Sequence, residues 1–180
     1  MIHFDERQFR SFMSEDEVLA AVDSLAEQIN RDYGINDRLL LVGVLKGAFM
    51  VMADLVRRLH SDTEVEFVRA QSIGKGAHGP GTVCLVKDVG LDVSRRHVII
   101  VEEIIDSGRT LKYLHDRLKS AQPLSLKIAT LLDKRQKRVA KIDADYVGRL
   151  VDDQFLIGYG LDLEERCRNL RNIYALKYPN

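Results

Sequence analysis

The sequence predicts an α/β fold, a largely parallel sheet covered by helices on both faces. Three observations carry that expectation. Short runs rich in apolar residues recur at Leu39–Val44, Val98–Val101 and Lys127–Leu132, as strands buried on both faces require. Segments with helical spacing of apolar residues lie between them. Strands and helices therefore alternate along the chain, the pattern of a parallel sheet.

The elements follow in order. Ser14-Glu15-Asp16-Glu17 reads as a capping box, with Ser14 as N-cap and Glu17 three residues on. Val18, Leu19, Val22, Leu25, Ala26 and Ile29 continue at helical spacing, and Gly34 marks a stop. After the strand at Leu39–Val44, Lys46-Gly47 breaks the run. Phe49, Met52, Val56 and Leu59 then predict a second amphipathic helix. Val65–Ala70 and Thr82–Val86 have strand character. Between them, residues 74–81 hold four glycines and a proline, a loop suited to a lid. Leu111, Leu114 and Leu118 predict a helix that ends before Pro123, and Ile173–Leu176 a last strand. In such sheets ligands bind at the carboxyl ends of the strands, here just after Val44, Val101 and Leu132.

Composition narrows the function. The 180 residues contain 46% apolar and 30% charged side chains, ordinary for a globular chain. Lys plus Arg and Asp plus Glu are 27 each. This balance argues against a diffuse nucleic-acid binder, so charged ligands must meet local clusters. No apolar run approaches the ~18 residues of a membrane span. Residues Met1–Arg10 do not read as a signal peptide. A cytoplasmic protein without a disulfide between Cys84 and Cys167 is expected.

The chemistry concentrates in Glu102-Glu103-Ile104-Ile105-Asp106-Ser107-Gly108-Arg109-Thr110. A buried strand here delivers three carboxylates to a tight turn that opens a helix. Backbone N–H groups and the hydroxyls of Ser107 and Thr110 can face one concavity, which favours a phosphate monoester. Three acids beside a phosphate would repel it unless they bind hydroxyls or a metal. Magnesium prefers one or two carboxylates plus substrate oxygens. A sugar phosphate with a bound Mg2+ fits this combination. The Walker A pattern is absent, so a P-loop is not the explanation.

This stretch resembles the 5-phosphoribosyl-1-pyrophosphate signature of the type I phosphoribosyltransferases. Leu45-Lys46-Gly47-Ala48-Phe49, Leu131-Leu132-Asp133-Lys134-Arg135, Phe155–Asp162 and Arg168-Asn169-Leu170 resemble further family segments in the family's order, and narrow the match to its hypoxanthine-guanine branch. The resemblance implies one domain over residues 1–180, with a central mostly parallel sheet flanked by helices and a small hood made from the terminal segments. It implies phosphoribosyl pyrophosphate and a purine base as partners, Mg2+ as cofactor, and a homodimer or homotetramer. By the same resemblance Glu102 and Glu103 hold the ribose hydroxyls and the metal. Asp106 is the general base, and Ser107, Gly108, Arg109 and Thr110 cradle the 5-phosphate. Lys46, Gly47 and Arg168 meet the pyrophosphate, with Asp162 supporting a second metal. Lys134 donates to the purine 6-oxo group, Phe155 stacks on the base, and the Leu156 backbone faces its edge.

Taken alone, several of these residues read more plainly. Lys46-Gly47 would be a strand-to-helix turn, Phe155 a core residue, Asp162 and Arg168 a surface pair. Lys134, Arg135, Lys137 and Arg138 would be a solvated basic run. Two positions depart from the family pattern: Glu103 stands where Asp is usual, and Ser72-Ile73-Gly74 where Ser-Tyr-Gly is usual. Weaker donor binding and altered lid closure are expected from them. They leave open a catalytically weak relative that binds nucleotide and regulates a partner. A xanthine-preferring member also stays open, since backbone around Leu156–Asp162 would read the purine 2-position.

Overall fold

The computed structural model describes residues 2–4, 7–73 and 82–177. The glycine-rich segment 74–81, read above as a lid, lies outside the described residues. The chain opens with β1 (Ile2–Phe4) and β2 (Arg7–Met13), then α1 (Glu15–Asp32), β3 (Arg38–Leu45), α2 (Phe49–Val56), β4 (Asp62–Ile73) and β5 (Thr82–Lys87). It continues with β6 (His97–Ile105), α3 (Arg109–Lys119), β7 (Ser125–Asp133), a 3-10 turn (Arg135–Lys137), β8 (Tyr146–Leu150), β9 (Leu156–Ile157) and β10 (Ile173–Leu176).

The main sheet runs in the order β5-β4-β3-β6-β7-β8. Every neighbouring pair is parallel except β4 and β5. The side-chain period of two puts alternate residues on opposite faces. Leu39, Leu41, Ile99 and Val101 therefore join α1 and α2 in one core. Leu40, Val42, Val98 and Ile100 join Leu111, Leu114 and Leu118 of α3 in the other. These strands have no solvated face, which is why they read as continuous apolar runs. The second sheet, β1-β2-β10-β9, is antiparallel and built from both terminal segments. It packs Phe9, Ile157, Leu163 and Cys167 into its own small cluster. This is the hood that the family resemblance implied.

The capping box forms as expected: Glu17 N donates to Ser14 Oγ at 3.3 Å, and Ser14 N donates to Glu17 Oε2 at 2.9 Å. One expectation needs correction. The second helix stops at Val56, short of Leu59. Arg58 N donates to Leu55 O at 2.9 Å, a tighter turn that redirects the chain toward β4, and Leu59 packs on the core from outside the helix. Among the described residues the two cysteines carry no disulfide, and no helix is long and apolar enough to cross a membrane.

Candidate active site

Because β3, β6 and β7 are parallel, their carboxyl ends deliver three loops to one edge of the sheet. Lys46-Gly47 follows β3, Asp106-Ser107-Gly108 follows β6, and Lys134 follows β7. The loop after β6 bends around a hollow of about 130 Å³, lined by Glu102 and by every residue from Ile104 to Leu111. Ser107, Gly108, Arg109 and Thr110, singled out in the sequence, all stand on its wall. Gly108 occupies the N-cap of α3 with φ +76°, a left-handed conformation that glycine adopts at no steric cost. A Cβ there would come within 2.8 Å of Arg138 Cδ.

At the mouth of this hollow, Lys134 Nζ lies 3.1 Å from Asp106 Oδ1. The lysine side chain is only 7% exposed and the aspartate 50%. A buried ammonium at the end of an apolar strand is thus aimed at a carboxylate open to solvent. The basic run therefore divides. Lys134 is buried and Arg138 largely covered, while Arg135 and Lys137 face solvent.

A second cluster forms where the hood meets the loop after β3. The Glu103 carboxylate lies over Gly47, so close that a Cβ on the glycine would sit 1.7 Å from Glu103 Oε1. Arg168 Nη2 lies 3.0 Å from Asp162 Oδ1 and donates to Glu165 Oε2 at 3.2 Å, while its Nη1 donates to Gly160 O at 2.7 Å. Lys46 Nζ donates to the same Glu165 oxygen at 2.8 Å. Lys46, Gly47, Glu103, Asp162 and Arg168, to which the family resemblance gave roles, are thus brought together. Glu165 is an addition that sequence reasoning missed, and Gly160, within the Phe155–Asp162 segment, was given no role of its own. The Glu165 carboxylate bridges two cations that a polyanionic ligand would also want, and those cations hold its carboxyl below the usual range.

Two atoms in this cluster are buried without a partner among the described residues, the acceptor Glu103 Oε2 and the donor Arg168 Nε. Such orphaned groups in a native site need explaining, and a bound cation on the carboxylate oxygen with an anionic oxygen on the guanidinium nitrogen would satisfy both. Burial pushes the Glu102 carboxyl well up, and the neighbouring Glu103 charge pushes it further. Burial also raises Glu103, with Arg168 opposing. Among the described residues no group of three His, Cys, Asp or Glu could hold a metal unaided. The donor set instead suits a hard cation that takes one or two carboxylates here and its remaining oxygens from a substrate.

The hood is fastened to this floor. Gly158, Tyr159 and Gly160 have φ of +99°, +48° and +96°, and Tyr159 Oη donates to Asp54 Oδ2 of α2 at 2.6 Å. A Cβ on Gly160 would lie 2.2 Å from the Gly47 carbonyl oxygen, a backbone atom that cannot rotate away. Gly160→Ala is therefore expected to cost about 1–3 kcal/mol of stability from backbone strain and to lift the Arg168 segment from Lys46-Gly47. Thermal melts and steady-state kinetics would show a lower Tm and a raised KM for an anionic donor. A variant with parental values of both would contradict the close approach. Phe155 and Leu156 stand where the chain enters the hood. Leu156 is buried and Phe155 is 40% exposed, so the ring offers an open apolar face.

A mostly parallel sheet with a phosphate-sized hollow at its strand ends, under a hood carrying paired acids and cations, is the architecture of phosphoribosyl transfer. The family of phosphoribosyl transferase domains matches residues 14–164. A hypoxanthine-guanine phosphoribosyltransferase of Aquifex aeolicus is 39% identical over 171 residues, 95% of this chain and 96% of the relative. One of Streptococcus mutans is 43% identical over 164 residues, 91% of each chain. Among solved structures, a hypoxanthine-guanine phosphoribosyltransferase of Bacillus anthracis superposes with TM-score 0.88 at 39% identity, over 94% of this chain and 99% of that one. A hypoxanthine phosphoribosyltransferase of Staphylococcus aureus gives TM-score 0.88 at 37% identity, over 95% and 94%. The chain belongs to the phosphoribosyl transferase family and, within it, to the hypoxanthine-guanine phosphoribosyltransferases. It is a transferase of purine salvage by that membership. These relatives give no support to the regulatory or xanthine-preferring readings.

Proposed function

We propose that this chain transfers the 5-phosphoribosyl group of phosphoribosyl pyrophosphate to N9 of hypoxanthine or guanine, releasing pyrophosphate and IMP or GMP. The observation that carries the reading is the Asp106–Lys134 pair at 3.1 Å on the rim of the hollow. It sets a proton acceptor and a hydrogen-bond donor side by side where a base would join the sugar. The hollow from Ser107 to Thr110 takes the 5-phosphate on backbone N–H groups and hydroxyls. As the C1–N9 bond forms and the C1–O bond to pyrophosphate breaks, Asp106 accepts the proton the purine loses. Lys134 donates to the 6-oxo group, which favours hypoxanthine and guanine over adenine, whose 6-amino group is itself a donor. Phe155 covers the ring face.

Pyrophosphate leaves with growing negative charge. Lys46 and the Arg168 fork receive it, with the backbone of Gly47, which lies under the Glu103 carboxylate, beside them. Glu102, Glu103 and Asp162 would hold Mg2+, which when bound stabilises that leaving charge. The orphaned Glu103 Oε2 supports this assignment. The family resemblance supports a cytoplasmic homodimer or homotetramer.

A spectrophotometric assay with the pyrophosphate donor, Mg2+ and one base at a time tests the reading. Turnover with hypoxanthine and guanine, abolished by EDTA and absent with adenine, is the expected result. No turnover with either 6-oxopurine, although the donor binds by calorimetry, would overturn it.

A further inference from the structure

We propose that Arg138 is the positioning residue of the phosphate cradle, and that buried Asp133 fixes it there. Asp133 closes β7 with its side chain 1% exposed, and Arg138 is 11% exposed. The two form an ion pair through Asp133 Oδ1 and Arg138 Nη2. A carboxylate this deep is tolerable only when paired and hydrogen-bonded. Arg135 Nε supplies a second donor to Asp133 Oδ2 at 3.2 Å.

Each nitrogen of the Arg138 fork has a partner. Nη1 donates to Ile142 O at 2.6 Å and Nε donates to Asp106 O at 3.2 Å. The guanidinium therefore holds the carbonyl of the residue that carries the general base, at the first peptide of the cradle. Its stem passes under the next residues, where Gly108, having no Cβ, leaves room for Cδ. Val139 N and Ala140 N both donate to Ser107 O at 3.0 Å. Lys134 N donates to Ile105 O at 3.1 Å on the other side of Asp133. The cradle is thus bound along its back to the segment that supplies the purine contact. Arg138 does not need to touch phosphate: its charge is neutralised by Asp133, and its work is to set the direction of the cradle. A planar fork with three acceptors is not reproduced by an ammonium.

The inference rests on the reading of residues 107–110 as the 5-phosphate site. The test uses guanosine and guanosine 5′-phosphate, with calorimetric Kd values for both, and Mg2+-pyrophosphate as a third ligand. The parental chain is expected to bind the monophosphate far more tightly than the nucleoside. If it does not, the phosphate reading itself is wrong. Given that preference, Arg138→Lys is expected to shrink the ratio of the two affinities by about tenfold, and pyrophosphate affinity should stay within about twofold. Asp133→Asn keeps the volume and removes the buried charge, and it should shrink the ratio in the same direction. It decides the matter if Arg138→Lys does not fold. A folded variant that melts lower yet keeps the parental ratio would show a purely structural role and overturn the proposal.

Discussion

Asp106→Asn is expected to lower kcat for hypoxanthine and guanine by about 10²–10⁴-fold, the range for losing a positioned general base. The reasons are local. Asparagine keeps the shape of the side chain and an oxygen that Lys134 can approach, so the geometry of the 3.1 Å contact survives in outline. What it loses is the capacity to hold a proton. The side chain is half exposed, and the bond that organises the turn comes from the Asp106 backbone carbonyl, which donor Arg138 Nε reaches at 3.2 Å. The fold should therefore barely notice the substitution. KM for the donor should move little, because the proposed phosphate and pyrophosphate contacts are assigned to other residues. A fall in kcat and kcat/KM together, at unchanged Tm, is the signature of an interaction made only in the transition state. A kcat within threefold of the parent would assign proton removal to water or to another group.

How far the sequence revealed this site depends on how each residue gets its role. The strands at Leu39–Val44, Val98–Val101 and Lys127–Leu132 were legible because burial on both faces writes itself as a continuous apolar run. The capping box was legible because both partners lie within four residues. By contrast β2 buries only Phe9 and Met13 completely, with Phe12 half-buried between them and polar residues elsewhere, so its spacing is too irregular to read. Strand β8 carries Gly148, where a Cβ would lie 2.7 Å from the Leu131 carbonyl oxygen, and closeness of that kind leaves no periodic trace. In the site, Glu102, Glu103 and Asp106 stood out because they share one segment. Glu165 did not, because it meets Lys46 across 119 positions of sequence. Arg138 was hidden inside a run of bases, where only tertiary packing separates a largely covered fork from its solvated neighbours. The Gly158-Tyr159-Gly160 stretch did offer a signal. Two glycines flanking an aromatic are economical where successive residues must take positive φ.

The proposed function gives Lys134 the choice of base, and Lys134→Met tests that assignment. Methionine nearly matches the buried stem in length and apolar character, so a volume-conserving change of this kind should cost under about 1.5 kcal/mol of stability. It removes the ammonium and therefore the charged donor to the 6-oxo group. A hydrogen bond to a charged group contributes about 1.5–3 kcal/mol, so kcat/KM for hypoxanthine and guanine should fall roughly 10- to 200-fold. Adenine has no 6-oxo group to lose, and its rate should fall less or rise, so discrimination between the two classes narrows. Asp106 complicates the prediction in a useful way. With its partner gone, the half-exposed carboxylate is left to solvent, and its proton-accepting role should survive. The loss should then appear mostly as a base-dependent change in KM, with kcat for the best base reduced less than in Asp106→Asn. Equal losses for 6-oxo and 6-amino purines would mean that Lys134 serves only to hold Asp106 in place, and would move the choice of base to the Phe155–Asp162 segment.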